Sequence, residues 1–204
     1  MIWNEDAILE IIANAVEYRS LEYDAEQAVR GIDLATESEF REPIRQALLA
    51  NQVVAIQEER YPDAQCIERL NHGVRCDLLL LPSGTPSEVN DQLDLWRTGY
   101  WLEIKRVAQF LESGPNWWYE STLLETIPKD IYKLASDSRI FYAGLLLVLF
   151  AATPESGYHD LKVWKQCAIE KGCPVGVPRI HDFRINNCLG NGHAFITLFP
   201  LRRL

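Results

Sequence analysis

The sequence predicts an α/β fold in which a mixed central β-sheet carries helices on both faces. The chain has 204 residues, of which 48% are hydrophobic and 24% charged, and this composition is typical of a globular protein with a packed core. The longest apolar run, at 143–152, is too short to cross a bilayer as a helix and is typical of a fully buried strand. The order of predicted elements, helix, three strands, helix and strand, favours a mixed sheet covered by helices.

Helical periodicity dominates the first 50 residues. Residues 24–33 show it weakly, and a further helix is predicted at 36–50, where Pro43 is expected to bend the helix or weaken one turn. The first helix is predicted at 5–18 because five apolar side chains fall on one face: Ile8, Ile11, Ile12, Ala15 and Val16.

Strands and helices then alternate along the rest of the chain. Helices are predicted at 125–136, with Pro128 in the first turn, and at 158–171. Turn-forming residues predict irregular structure at 82–92 and 171–192, and 106–118 is predicted to be less regular than the strand before it. Apolar runs predict five strands, at 52–61, 73–81, 99–105, 139–151 and 193–201.

The chain is interpreted as a single domain of 1–204 with three parts. Residues 1–35 form an N-terminal helical extension, 36–152 the core, and 153–204 a C-terminal helix, loop and strand. The N-terminus has early acidic residues and no basic region, so no signal peptide is predicted. We expect a cytoplasmic protein without membrane association.

The charge balance limits the function classes. A net charge of −9 and a pI near 5.0 argue against a protein held on nucleic acid by bulk positive charge. This balance is compatible with a nucleic-acid enzyme whose acidic site is neutralised by bound cations.

The five cysteines are scattered and odd in number, so reduced thiols are expected rather than a disulfide framework or a zinc site.

Charged residues in two apolar strands are the strongest functional signal. Asp77 lies within VRCDLLLL, and Glu103 and Lys105 lie within WLEIK, where strand alternation directs both side chains to one face. An acid in an apolar strand is costly unless something compensates for it. Two acids on neighbouring strands can share a Mg²⁺ ion. Lys105 could then orient or deprotonate an attacking water, or stabilise charge on a phosphate.

This spacing resembles that of the PD-(D/E)XK nuclease superfamily, which has a restriction-endonuclease-like fold. Asp77 matches the acid of the family's second core strand, and Glu103, Ile104 and Lys105 match its (D/E)XK motif. The resemblance covers about residues 36–152. It implies a restriction-endonuclease-like core with extra N-terminal helices, and metal ligation by Asp77, Glu103 and the Ile104 carbonyl.

Two features qualify the match at its first acid. Cys76 stands where the family motif has proline, a departure that is common in the superfamily. A literal Pro62–Asp63 pair also occurs, but the sequence after it does not predict a buried strand, so we interpret this pair as a decoy.

The superfamily often supplies a further acid from the first core helix. Helical geometry places Glu37 within the arc of the apolar face, whereas Glu39 and Glu42 point away from it. Glu37 is therefore the predicted supporting acid, although a helix-dipole role in the first turn would also explain it. Glu39 can instead form a capping box with Thr36.

Two further groups have alternative interpretations. Lys129 and Lys133 could approach a phosphate backbone, or lie on a solvated face where Lys133 pairs with Asp130; solvation is favoured for Lys129. The adjacent Trp117 and Trp118, with Tyr119, could stack on bases, pack a loop or form a protein interface.

The sequence thus predicts a Mg²⁺-dependent endonuclease, with Mn²⁺ able to substitute, that acts on DNA. A homodimer would supply the two sites needed to cut both strands, and the resemblance implies a restriction or phage-defence role. The alternative is a catalytically inactive module on the same scaffold that binds a protein partner, as an immunity or regulatory protein would.

Overall fold

The computed structural model describes residues 3–26, 30–62, 75–82, 92–186 and 189–203. Its helices are α1 (Glu5–Ala25), α2 (Glu37–Ala50), α3 (Gln92–Thr98), α4 (Tyr119–Ser121), α5 (Ile127–Ser136) and α6 (Pro154–Glu170). A π-helical turn at Thr122–Thr126 joins α4 to α5.

Six strands form one mixed sheet in the order β1-β2-β3-β6-β8-β7. The β3–β6 pair is parallel, whereas every other pair in this sheet is antiparallel. Two short strands, β4 and β5, form a separate hairpin. The strands are β1 (Val54–Arg60), β2 (Arg75–Leu81), β3 (Tyr100–Ala108), β4 (Phe110–Leu111), β5 (Gly114–Pro115), β6 (Tyr142–Ala151), β7 (Arg179–Arg184) and β8 (His193–Leu201).

Helices cover both faces of the sheet, which confirms the predicted mixed sheet flanked by helices. Helices α1 and α2 pack on one face through a core that includes Ile12, Phe40, Ile44, Leu102 and Ile196. Helices α5 and α6 pack on the other through a core that includes Ile131, Leu134, Trp101, Trp164 and Phe199. Alternation along the central strands supplies side chains to both cores, so the strands are apolar throughout.

Local sequence explains where α2 begins. The Glu39 carboxylate accepts hydrogen bonds from the backbone N–H of Thr36 at 2.7 Å and from its hydroxyl at 2.8 Å. These bonds fix the first turn, as the alternative interpretation of Glu39 predicted. Phe40, Ile44 and Leu48 are buried, so α2 is anchored on the sheet along one stripe. Its first residue is thereby held over β3.

Several predicted boundaries are wrong. Helix α1 continues to Ala25, and Ile32–Leu34 is a single 3₁₀ turn, so the described part of the weak helix predicted at 24–33 is not a separate helix. Gly31, just before that turn, has an extended backbone that interrupts helical geometry. Helix α3 was not predicted; of the loop predicted at 82–92, residues 83–91 lie outside the described residues.

The segments predicted to be irregular contain β-structure. Strand β7 lies within 171–192, where alternating polar residues and flanking prolines and glycines obscure its period. Strand β3 continues to Ala108, followed by the β4–β5 hairpin, so the less regular part of 106–118 begins later than predicted. The C-terminal part of the chain adds β8 and β7 to the central sheet.

The β2–β3 pair separates partway along its length. Its ladder ends at Leu78↔Leu102. Yet β2 remains paired with β1 as far as Arg75, and β3 remains paired with β6 as far as Ala108. We call this opening the β2–β3 fork: residues 75–77 form one arm and 103–105 the other. Because the sheet is interrupted there, side chains from the helical layers on both faces can meet in the gap.

Candidate active site

The predicted site residues converge at the β2–β3 fork. The Ile104 backbone N–H donates a hydrogen bond to Asp77 Oδ2 at 2.8 Å. A side-chain oxygen thus replaces the backbone acceptor that the ladder no longer supplies. An N–H and C=O of one strand residue point to the same side, so the Ile104 carbonyl is also directed toward β2. Asp77 and Glu103 are both buried.

Lys105 lies between acids from the two helical layers. Its Nζ is 3.6 Å from Glu37 Oε2 on α2 and 3.2 Å from Asp130 Oδ2 on α5. Glu37 also accepts the backbone N–H of Arg106 at 3.2 Å, which ties the start of α2 to β3. The Lys105 side chain is 15% exposed, so these charge interactions are only partly screened by water.

Of the three acids considered on α2, only Glu37 reaches this group. Glu39 is used by the Thr36 cap. Glu42 bonds to Arg45, Gln46 and Gln57 on the exposed side of the helix.

Asp130 and Lys133 on α5 complete the arrangement. Lys133 Nζ lies 3.1 Å from Glu103 Oε1 and 3.2 Å from Asp130 Oδ1. The predicted Asp130–Lys133 pair therefore exists, but it faces the fork rather than open solvent. The sequence signal was present, since both residues border the buried stripe of a short amphipathic helix. Lys129, by contrast, is exposed.

Arg41 and Tyr61 hold the two strand acids from outside the motif. Arg41 Nε is 3.1 Å from Asp77 Oδ1, and its Nη1 is 2.6 Å from Glu58 Oε1. The hydroxyl of Tyr61 donates a hydrogen bond to Glu103 Oε1, and Lys133 Nζ lies 4.8 Å from the centre of the Tyr61 ring. Nothing near Tyr61 in the sequence indicated this role.

Backbone strain marks the same place. Glu58 has φ of 53°, a left-handed conformation that is uncommon for a residue other than glycine. The β1–β2 register runs from Gln57↔Leu78 to Glu59↔Cys76, so Glu58 stands opposite Asp77. The strained residue therefore directs its carboxylate toward the arginine that holds Asp77.

Ion pairs at the fork join eight side chains in two groups, one of three around Arg41 and one of five around Lys105 and Lys133. The groups meet where Asp77 lies beside Glu103, and we call all eight together the charged cluster. When all are ionised, the five carboxylates exceed the three cations by two negative charges, which is the charge of one divalent cation. The members are Glu37, Arg41, Glu58, Asp77, Glu103, Lys105, Asp130 and Lys133.

Burial and neighbouring charges tune the acid and the two lysines. Burial raises the pKa of Glu103 to about 7, and the adjacent Asp77 contributes by hydrogen bonding and charge repulsion. Burial alone would lower the pKa of Lys105 and Lys133. The surrounding carboxylates outweigh it, so both lysine pKa values are raised and both amines are charged. Lys105 is thus suited to stabilise negative charge or orient a water rather than to remove a proton.

The donor set fits a hard divalent cation. Mg²⁺ takes one or two carboxylates together with carbonyl, water and phosphate oxygens, and the fork offers Asp77, Glu103 and the Ile104 carbonyl. Burial and the adjacent Asp77 disfavour the charged form of Glu103, and a cation bound between the two carboxylates would relieve this repulsion. Across the described ranges, no group of three or more His, Cys, Asp or Glu side chains is arranged to hold a metal ion.

A cavity of about 970 Å³ lies elsewhere, between α1 and α2. It shares no lining residue with the charged cluster, and its apolar lining includes Ile11, Ala15, Tyr18, Phe40, Pro43 and Ala47. The cavity is not the site that the sequence predicted, because the acids and lysines of the motif lie at the fork.

Comparison of the chain with models of known protein families, with curated proteins and with solved structures gave no match. In the described part of the chain, no helix is both long and apolar enough to cross a membrane.

Proposed function

We propose that the protein is a Mg²⁺-dependent endonuclease that hydrolyses phosphodiester bonds of DNA. The observation that carries the proposal is the convergence of Asp77, Glu103 and Lys105 at a place where the sheet opens. Action in the cytoplasm, a homodimer that cuts both strands, and a restriction or phage-defence role belong to the same proposal and rest on the sequence alone.

Asp77, Glu103 and the Ile104 carbonyl would hold Mg²⁺, which when bound supplies a Lewis acid for a phosphate oxygen and lowers the pKa of a water. Asp77 is held in place by the Ile104 N–H and Arg41. Glu103 is held by Tyr61 and Lys133. Both acids are therefore oriented before any ligand arrives, which reduces the reorganisation needed during reaction.

Lys105 stabilises the negative charge that develops on the phosphate during attack. Glu37 and Asp130 keep its ammonium group charged and hold it between the two helical layers. Asp130 also pairs with Lys133, so its carboxylate lies between the ammonium groups of Lys105 and Lys133. In this arrangement Glu37 and Asp130 are positioning residues.

Cleavage assays test the proposal directly. Plasmid, single-stranded DNA and RNA should each be incubated with Mg²⁺, with Mn²⁺ and with chelator. We expect metal-dependent cleavage of DNA that Lys105→Ala abolishes and that Glu42→Gln, an exposed acid on α2, leaves unchanged. No cleavage of any substrate by the folded protein would contradict the proposal, and cleavage of RNA alone would correct its substrate.

Metal binding provides a readout independent of cleavage. Asp77→Asn keeps an acceptor for the Ile104 N–H but removes a negative charge from the donor set, so we expect the fold to persist and Mg²⁺ or Mn²⁺ affinity to be lost. Calorimetry that finds the same affinity in this variant as in the wild type would overturn the metal assignment.

A second candidate function is supported by the ion pairs themselves. Arg41 on Asp77 and Lys133 on Glu103 give each acid a cationic partner within the chain, as in a module that keeps the scaffold without catalysis and binds a protein partner. Arg41→Ala and Lys133→Ala distinguish the two functions. If the pairs seal an inactive site, removing either cation should create or strengthen metal binding without producing any cleavage.

A further inference from the structure

Two adjacent tryptophans present their rings to solvent. Trp117 is 87% exposed and Trp118 is 73% exposed, which makes them the most exposed large hydrophobic side chains among the described residues. These values exclude the interpretation in which the two rings pack a loop. Burying an indole ring is strongly favourable, and an exposed apolar patch of this kind marks a binding surface.

The backbone beneath the rings is well fixed. The side chain of Asn116 donates to Ala108 O at 2.9 Å and accepts from the Trp118 N–H at 3.0 Å. The backbone N–H of Asn116 donates to Gln109 O at 2.8 Å, and the Thr122 hydroxyl donates to Trp118 O at 2.8 Å. A partner would therefore meet two rings on an ordered turn, and binding would cost little backbone entropy.

The chain segment that carries the rings is acidic. Residues 109–126 contain three glutamates, all exposed, and no lysine or arginine: Glu112, Glu120 and Glu125. Two cations from outside this segment approach it: Arg30 lies 3.9 Å from Glu112, and Lys171 Nζ donates to Leu124 O at 2.8 Å. Neither contact involves Glu120. Such a field repels phosphate groups, so it disfavours a nucleic-acid strand stacked on the rings and favours a cationic partner.

One glutamate lies beside the rings. The Tyr119 N–H donates to Asn116 O and the Thr122 N–H donates to Trp118 O, so this segment winds helically. Glu120 lies in α4, and Trp117 lies in the turn just before the Trp118 cap, so the carboxylate and both rings belong to one short segment. An indole face next to a carboxylate matches the guanidinium group, which stacks on aromatic rings and pairs with carboxylates in a planar fork.

We propose that Trp117, Trp118 and Glu120 form a surface that binds arginine side chains of a protein partner. The guanidinium plane stacks on an indole face while its N–H groups donate to Glu120. This surface lies outside the charged cluster, and the proposal does not rest on cleavage activity.

The indole N–H signals of the full chain provide the test. The chain has six tryptophans, and Trp117→Phe and Trp118→Phe assign two of the six signals in a two-dimensional NMR spectrum. We expect an oligo-arginine peptide to shift these two signals selectively, an oligo-lysine peptide to bind more weakly, and an oligo-glutamate peptide to have no effect. The double variant Trp117→Ala/Trp118→Ala should weaken oligo-arginine binding by roughly tenfold.

Matched variants separate the surface from general charge attraction. The double tryptophan variant keeps the net charge of −9, so unchanged oligo-arginine affinity in it would show non-specific binding and overturn the proposal. Tyr18→Ala removes another exposed ring, on α1, and should leave affinity unchanged. Glu120→Gln should weaken it a fewfold. If oligothymidylate shifts the two signals and oligo-arginine does not, the surface stacks bases and the proposal fails.

Discussion

Two strand pairs of the same sheet end in different ways. The β6–β8 pair runs through nine consecutive residue pairs, from Ala143↔Leu201 to Ala151↔His193, and is almost entirely buried. The β2–β3 pair has three residue pairs in the described register and then opens into the fork. The first pair satisfies its backbone by itself, whereas the second needs Asp77 to accept the Ile104 N–H.

The difference shows how a buried charged cluster can persist in an apolar sheet. Where a ladder is complete, a charged side chain between the layers would lack partners and would be costly. Where the ladder stops, backbone donors and the two helical layers supply partners for each acid. Asp77 and Glu103 are therefore buried with partners at the point where the β2–β3 pairing ends.

The greatest loss of stability is expected from a substitution in the continuous β6–β8 pair. Phe199 is fully buried in β8, and its ring centre lies 4.5 Å from that of Trp164. We expect Phe199→Ala to lower the free energy of unfolding by about 3–5 kcal/mol, because it removes apolar contacts and leaves a cavity. Urea unfolding followed by circular dichroism measures the free energy of unfolding. A loss below about 1 kcal/mol would show that packing on the β6–β8 pair contributes less to stability than expected.

The second prediction concerns the pH dependence of stability at the β2–β3 fork. Glu103 has a pKa of about 7 when folded and 4.5 as an ordinary side chain, so the folded protein retains a proton that the unfolded chain releases. Stability from this group is present in full below pH 4.5 and is lost as the pH rises to about 7. The loss is about 3 kcal/mol.

Urea unfolding in chelator at several pH values checks this slope against Glu103→Gln. The variant cannot titrate at this position, so the difference in free energy of unfolding between it and the wild type should change across the window. A difference that is constant from pH 4.5 to 7 would contradict the raised pKa.

A smaller effect is expected at the fork itself. Asp77→Ala leaves the Ile104 N–H without its acceptor and removes the acid that pairs with Arg41. We expect a loss of about 1–3 kcal/mol in the free energy of unfolding. Asp77→Asn should lose less, because its side-chain oxygen still accepts the N–H. Equal losses in both variants, measured by urea unfolding, would indicate that charge rather than the hydrogen bond holds the fork.

The smallest change in stability is expected at Glu37. Its side chain is 37% exposed, so Glu37→Gln should alter the free energy of unfolding by no more than about 0.5 kcal/mol. If the proposed nuclease activity is correct, displacement of Lys105 should reduce the cleavage rate by about tenfold. Glu42→Gln on the same helix is the matched control, and an equal fall in both variants would remove Glu37 from its positioning role.

Much of the fold follows from local sequence. The helix predicted at 36–50 and the strand predicted at 193–201 agree closely with the structure. A capping pair marks the start of the helix, and a mostly apolar run marks the strand. Strand β7 was missed because Arg179, His181 and Asp182 give it no apolar alternation, and its place is fixed only by pairing with β8. Edge strands of this kind are specified by their neighbour more than by themselves.

The site divides in the same way. The positions of Asp77, Glu103 and Lys105 in apolar strands can be predicted from the sequence, because a charge that interrupts a hydrophobic run is visible without any partner. The separation of the strands beyond Leu78 could not be predicted in this way. Nor could the approach of four further side chains to the gap, those of Asp130, Lys133, Arg41 and Tyr61. These contacts join residues far apart in the chain, and their geometry depends on how the helical layers pack across the sheet.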